Sequence, residues 1–399
     1  MGSENKLLPR IAIIGAGACG LLLAHGLQKN GFKVTVYEKE TRIGERTREW
    51  TMLVHWAYAT FRKMLPDEIL NDFSSAHADP FLDYEKAPPI PFYDGTTGDV
   101  VFRMPGNVRR ISRTRLRQLC SRGLDIRWGK QVADLQVGDT GPVSIVFKDG
   151  TTEEADFVIG ADGGNSQIRK WLLGEEASKT LPSEYAIANG IVKYETAEQA
   201  AALREPNPIC TVSVIPGGVT FMATQDVGDP DDLTTYSFHV ARVWKTVQPY
   251  SEGPEAIAKT KASITPEMPL NEPFRSAIMW IPETASLTIN QLHYWATVPW
   301  DNKRGRVTLA GDAAHCMLPN RGQGLNHALG DVDKMITEFT KIRDNGVSLQ
   351  DALKHYEEEV FVRGRKAALE SLEDADALMK AQSASDVQKA RHNKQGWEK

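Results

Sequence analysis

Glycines spaced to admit a phosphate, and carboxylates placed to receive hydroxyl groups, are the residues of this chain whose pattern could do chemistry. The string Gly15-Ala16-Gly17-Ala18-Cys19-Gly20 carries three glycines in the order that a dinucleotide requires. Gly15 permits a tight turn, Gly17 lets backbone N–H groups approach a pyrophosphate, and Gly20 allows a helix to pack closely on the preceding strand. The start of that helix favours phosphate charge through its dipole and its free N–H groups. Glu38 stands about twenty residues further on, where a carboxylate can accept both hydroxyls of an adenosine ribose and argues against a 2′-phosphate. This unit alone does not separate NAD from FAD.

Two further strings suit other parts of the same ligand. The first is Gly160-Ala161-Asp162-Gly163, followed by Ser166 and Arg169. The second is Gly311-Asp312-Ala313-Ala314-His315, followed by Pro319, Arg321, Gly322, Gln323, Gly324, Asn326 and Asp331. Three such strings in this order point to FAD.

The elements that must position them can be read from periodicity. The apolar run Ile11 to Ile14 reads as a strand, and Leu21, Leu22, Leu23 and Leu27 as a helix stopped at Asn30-Gly31. Lys33 to Tyr37 is a second strand ending at Glu38, so residues 1 to about 60 form a βαβ opening. Asp79 to Gly98 is a proline-rich loop or excursion, and Leu116 and Leu119 lie on a short helix. Val143 to Phe147 and Thr151 to Ile159 flank Asp149-Gly150 as a hairpin leading into the second glycine string. Arg306 to Ala310 is the strand leading into the third. Leu349, Leu353, Tyr356 and Val360 recur at helical spacing in a long C-terminal helix.

Between about 180 and 300 the character changes. Cys210 to Ile215, Val219 to Thr224, Thr234 to Val243 and Ile289 to Val298 alternate as antiparallel strands. The expected fold is α/β with an α+β substrate part, a Rossmann-like FAD-binding domain carrying an inserted antiparallel sheet. The boundaries are 1–178 and 300–399 for the first domain and 179–299 for the second. Residues 75–110 reach the substrate side, and 383–399 form a polar, flexible tail.

Composition excludes other classes. Hydrophobic residues make up 41% and charged residues 25%, as in an ordinary globular chain, and a net charge of -5 gives no reason to expect nucleic acid or an anionic membrane. The polar start, and glycines that cut the first apolar run, argue against a signal or spanning helix, so the expected location is the cytoplasm. Cys19, Cys120, Cys210 and Cys316 are too scattered for a zinc site or a disulfide framework, and no metal is expected. The expected partner is a small-molecule substrate, with the protein a monomer or homodimer.

Taken together, the three strings closely resemble those of the FAD-dependent aromatic hydroxylases, the single-component flavoprotein monooxygenases typified by p-hydroxybenzoate hydroxylase. The resemblance runs in order from residue 11 to residue 331. It implies that Gly15, Ala16, Gly17, Ala18, Gly20, Glu38 and Lys39 hold the adenosine and pyrophosphate end, and that Gly311 and Asp312 bind the pyrophosphate or ribityl chain. The helix beginning near Gly322, Gly324, Leu325 and Asn326 would face the isoalloxazine N1/C2 edge. A helix N-terminus there also makes physical sense, because reduced flavin carries negative charge near N1 and O2. Asp162 and Gly163 would serve FAD and nicotinamide contacts, and Pro319 would lie beside C4a. Arg46 and Arg113 match positions where relatives carry arginine, with Arg115 and Arg117 competing for the second. Ala277-Ile278-Met279-Trp280-Ile281-Pro282 lacks the tryptophans of flavin halogenases. The short form without an extra C-terminal domain is expected.

The reaction this implies starts with hydride transfer from NADPH or NADH to FAD. O2 then forms a flavin C4a-hydroperoxide, and one oxygen passes to a small organic substrate, aromatic or polycyclic. A dehydrogenase or oxidase on the same fold is the alternative, and a flavin-binding interaction protein a third reading. His55, Tyr236, His293 and Pro319 are the candidate catalytic residues, and His239, Tyr294 and His315 are also in view. Each aromatic or histidine has core packing as its alternative. Strand alternation sends His293 and Tyr294 to opposite faces. Phe221, Phe238, Trp280 and Trp295 could build an apolar cavity.

Overall fold

The computed structural model describes residues 8–45, 49–104, 107–247, 249–381 and 386. Arg46 and all but one residue of the expected tail lie outside them. At the centre of the first part is a five-stranded sheet in the order Val307–Leu309, Phe157–Gly160, Arg10–Ile14, Lys33–Tyr37 and Ile126–Arg127. All its pairings are parallel, with Ile14 opposite Gly160 and Gly160 opposite Leu309. The apolar runs are unbroken because both faces are covered, so Ile11 to Ile14 and Phe157 to Ile159 are buried. The three strands that end in glycine strings are therefore neighbours, and their strings leave from one edge of the sheet.

The second strand of the expected hairpin is broken in two. Thr152–Ala155 pairs antiparallel with Val143–Phe147, whereas Phe157–Gly160 joins the parallel sheet. Asp156 makes the change of sheet, accepting from the Arg10 backbone N at 2.8 Å and from Arg10 Nη2 at 2.9 Å. Alternation cannot reveal such a break, because it reports extended backbone but not which sheet a segment joins.

The second part is an eight-stranded sheet. Its order is Ser251–Glu252, Ser286–Tyr294, Leu181–Val192, Ser237–Lys245, Gly218–Asp226, Cys210–Ile215, Ile90–Asp94 and Val100–Met104. The strand Leu181–Val192 was not singled out in the sequence, since Pro182 and Gly190 interrupt it and its register shifts between Pro182 and Ala186.

Alternation divides this sheet into two faces. Val192, Phe238 and Val240 pack behind it with Ala200, Ile257 and Phe274, which belong to helices Ala197–Arg204, Gly253–Ala262 and Phe274–Met279. Phe92, Val212 and Val219 lie on the front, packed with Leu318 and with Ala375 and Leu378 of the long helix Leu349–Lys380. That helix ties the parts together. Tyr356 Oη donates to Leu309 O at 2.8 Å beside the parallel sheet, and Met379 O accepts from Gly217 N at 3.0 Å in the other. A short ribbon, Thr51–Val54 paired antiparallel with Arg109–Ser112, links the two sheets. Among the described residues no helix is long and apolar enough to cross a membrane.

The tight helix start gives a stability prediction. A Cβ at Gly20 would stand 2.0 Å from Gly15 O, a backbone atom that cannot yield without opening the turn, whereas one at Gly17 meets nothing within 4 Å. Gly20→Ala is therefore expected to lower the unfolding free energy by about 1–3 kcal/mol, as overpacking does. Gly17→Ala should leave the apoprotein within about 0.5 kcal/mol of wild type. Urea denaturation of the two variants measures the difference; equal midpoints would contradict it.

Candidate active site

Contacts between the three strings show how closely they converge. The position of a Gly15 Cβ is 2.5 Å from Ala161 O, that of Gly164 is 3.1 Å from Cys316 Sγ, and that of Gly311 is 3.2 Å from Cys19 Cβ. Arg169, fully buried, clamps the second string to the third. Its Nη1 donates to Asp312 O at 3.3 Å and Ala313 O at 3.1 Å, and its Nη2 to Gly164 O. Its guanidinium also lies 4.7 Å from the ring of Trp295. The Asp162 carboxylate accepts from Ser166 Oγ at 2.5 Å and Gln167 N at 2.6 Å, so it organises the start of its own helix, Gln167–Ser178. Gly163 is half-buried, and a Cβ there would meet nothing within 4 Å.

The third string is held from below by Asp331. This carboxylate is wholly buried and accepts from Gly311 N at 2.6 Å, from His315 Nε2 at 2.7 Å and from Arg363 Nη2. Burial alone would raise its pKa, but His315 and Arg363 together hold it well below the usual carboxylate range. His315 is thus a buried support.

Asp312 differs, for its side chain is exposed at the cleft, although the protein crowding around it, with Asp331 nearby, raises its carboxyl pKa. Pro319 is exposed and opens the turn Pro319–Arg321. Gly322 follows at φ +61°, with a Cβ position 3.1 Å from Leu53 Cδ2. Asn326 locks this turn to the ribbon: its Oδ1 accepts from His55 N at 3.1 Å, and its Nδ2 donates to Leu53 O at 3.1 Å and Gly322 O at 3.2 Å. Leu325 beside it is half-buried.

Two helices begin at this cleft, Ala18–Lys29 and Gly324–Asn345. Neither has a side-chain cap or an acid in its first turn. The helices after Ser112, Ser166, Thr196 and Ser348 are each capped by those side chains, while the short helices Tyr58–Met64 and Phe274–Met279 also lack both cap and acid. The uncapped N–H groups suit an anionic ligand. At the far end Glu38 is buried, accepting from Ala16 N at 2.7 Å and Glu40 N at 3.0 Å, while Lys39 is exposed.

The competing arginines separate cleanly. Arg113 lies 5.0 Å from the Trp50 ring, and Arg115 reaches Asp226 at 2.6 Å and His77 O at 2.7 Å. Arg117 is buried against the dinucleotide loop, donating to Ala16 O at 2.8 Å and Glu40 at 2.9 Å. Arg117 enters the sequence reading only as a competitor for the position given to Arg113, and Arg169 and Asp331 are not among the candidate site residues. The last two stood inside the quoted strings, and the signal available was a charge within a run otherwise suited to burial.

His55 lies at the end of the ribbon, next to the Asn326 lock, and burial followed by Arg321 lowers its pKa to about 4. Tyr236 is not brought to this place, and His293 meets the third string only through its backbone carbonyl, 3.9 Å from Cys316 Sγ. Tyr236 precedes the strand Ser237–Lys245, stacks near Phe238 in the rear core and donates to Pro230 O at 3.1 Å. The two-residue period that carries Phe238 backwards carries Tyr236 with it and sends His239 to the front. His293 is exposed with its Nδ1 2.9 Å from Gln291 O, while Tyr294 packs with the front cluster. Phe221 also belongs to the front, Phe238 to the rear, Trp280 is exposed, and Trp295 is buried beneath Arg169.

Comparison with known proteins agrees with this geometry. A model described as FAD binding domain matches residues 237–371, and one described as NAD(P)-binding Rossmann-like domain matches residues 13–73. The FAD-dependent monooxygenase phnB of Penicillium herquei is 33% identical, with 92% of this chain and 90% of the relative covered. This chain belongs to the FAD-dependent monooxygenases. Another member, cctM of Talaromyces islandicus, is 31% identical over 91% of each chain. The solved 2,6-dihydroxypyridine-3-hydroxylase from Arthrobacter nicotinovorans shares the fold with a TM-score of 0.73, covering 94% of each chain at 20% identity.

The cofactor of this flavoprotein monooxygenase is FAD, and the residues present fit it. The cradle at Gly15, Gly17 and Gly20, the two uncapped helix starts and the cleft-facing Asp312 are the features that such a ligand would use. Histidines buried or half-buried in the protein also set its response to acid. Burial lowers His55 and His77 to about 4 and His239 and His327 to about 3, from an ordinary 6.5. A depressed histidine is neutral when folded and takes up its proton sooner when unfolded. Its contribution to stability is therefore full above pH 6.5 and declines as pH falls towards 4. Asp331, also depressed, acts in the same direction at lower pH. The urea midpoint is expected to fall steeply from pH 6.5 to pH 4; a level midpoint across that window would contradict the assignment.

Proposed function

We propose that the protein takes electrons from NADPH or NADH and inserts one atom of O2 into a small aromatic substrate. That substrate would lie between the front of the eight-stranded sheet and the segment Pro319 to Asn326. The observation that carries this reading is the uncapped start of helix Gly324–Asn345, fixed by Asn326 to the ribbon whose Leu53 reaches Gly322 and joins the front-face cluster. Bound FAD would supply the redox chemistry, accepting a hydride equivalent and activating O2.

The chain's own residues then orient and shield. The N–H groups from Gly324 onward would favour negative charge on the flavin ring, and Asp312 would meet its polar chain. Gly17 and the neighbouring helix start would receive the pyrophosphate, and Glu38 the ribose. Arg113 would add a cationic contact, while Asp162 and Gly163 would face the nicotinamide side. Pro319 would border the reacting edge, and the apolar front face excludes water from it. His55 is neutral at ordinary pH and can hydrogen-bond a substrate hydroxyl, but with a pKa of about 4 it orients better than it deprotonates.

Two measurements test this reading. Asp312→Ala is expected to weaken FAD retention at least ~10-fold, equivalent to about 1.4 kcal/mol; a purified variant holding full flavin would contradict the role. Turnover of an aromatic substrate panel with NADPH under 18O2 is expected to place one labelled atom in the product. Peroxide released with unlabelled product would instead favour an oxidase.

A further inference from the structure

Arg110 and Arg242 are both buried on the substrate side, but whereas Arg242 satisfies its Nε and both terminal nitrogens on Ser263 and Thr220, Arg110 does not. Arg110 is 3% exposed, and among the described residues no carboxylate forms an ion pair with it. Its Nη2 donates to Thr51 O at 3.2 Å, contacts Thr51 Oγ1 and lies 3.0 Å from His239 Nδ1, while its Nε is buried without a hydrogen-bond partner. The ionisable neighbours do not neutralise it. Burial pushes Cys210 and Tyr84 up to about 12 and His239 down to about 3, so all three are uncharged near pH 7. A buried guanidinium without a counter-charge is costly unless something else supplies one.

Its position says what that could be. Arg110 is the register partner of Leu53, so both side chains leave the same face of the ribbon, and Leu53 is the residue that reaches Gly322. The Arg110 guanidinium lies 4.8 Å from the ring of Phe221, which is half-buried on the front face. His239 stands 5.4 Å from the same ring and touches Asn189 through Nε2. A cation, an aromatic surface and a neutral amide thus meet on the wall assigned to the substrate. We propose that Arg110 is the counter-ion for an anionic oxygen, phenolate or carboxylate, carried by the aromatic substrate, with Phe221 stacking on its ring. His239 and Thr51 act as positioning residues by holding the guanidinium from its other side.

This inference rests on the placement of the substrate proposed above, yet it can be tested without turnover. The FAD-loaded enzyme is titrated with 2-naphthoate and its neutral analogue 2-naphthamide, and with 2-naphthol and 2-methoxynaphthalene, following the flavin absorbance. At least one oxygen-acid probe is expected to bind ~10-fold or more tightly than its neutral analogue, about 1.4 kcal/mol. Preference for naphthoate assigns a carboxylate, and preference for naphthol a phenolate. Arg110→Met should abolish the preference, and Arg110→Lys should keep part of it because the charge remains while the planar fork is lost. If Arg110→Met does not fold, the wild-type preference and the Arg110→Lys value decide. Equal binding of acid and neutral probes, a preference that survives Arg110→Met, or no binding by any acid probe overturns the proposal. Because neither NADPH nor O2 takes part, failed oxygen insertion leaves this result readable. Labelled product formed without any acid preference would remove Arg110 alone.

Discussion

Three parallel strands lying side by side govern the arrangement of this molecule. Val307–Leu309, Phe157–Gly160 and Arg10–Ile14 are hydrogen-bonded neighbours pointing the same way, so the glycine strings after them have no choice but to meet at one edge. Residues almost three hundred positions apart in sequence thereby become neighbours, so close that a Cβ at Gly311 would stand 3.2 Å from Cys19 Cβ. Parallel pairing requires long crossovers, and the chain uses them to carry the substrate sheet and the ribbon. The ligand crevice then falls where open α/β sheets place it, beyond the carboxyl ends of the strands.

Buried charges keep that edge in shape. Arg169 joins two strings through backbone carbonyls, and Asp331 joins the third to the helices Gly324–Asn345 and Leu349–Lys380 through Gly311, His315 and Arg363. Neither interaction is a simple gain in stability, since each desolvates a full charge. Their effect is specificity of position, because a partly satisfied network would cost more than an apolar core. This rigid support leaves the crowded Asp312 exposed at the cleft.

Much of the fold was legible because glycine and apolar runs report local geometry. The strand before Gly15, the helix after it and the run Cys210–Ile215 follow from local apolar runs and their spacing alone. Local signals failed where a tertiary contact decides. Asp156 ends one strand and starts another only because Arg10 meets it, and Leu181–Val192 forms across a proline and a glycine because partners lie on both sides. The candidate site divides in the same way. Glycine strings announce themselves, whereas Arg117 and Arg110 acquire meaning from Ala16, Glu40, Thr51 and His239, distant in sequence. Tyr236 and His293 were attractive by type, but nothing local to them reveals which side of a sheet faces the cofactor.

Hydrogen–deuterium exchange of the apoprotein with and without added FAD tests the convergence most directly. The account predicts slowed exchange in residues 15–20, 160–164 and 311–326 together, at the same FAD concentration. Protection confined to the first segment, with the other two unchanged, would contradict it.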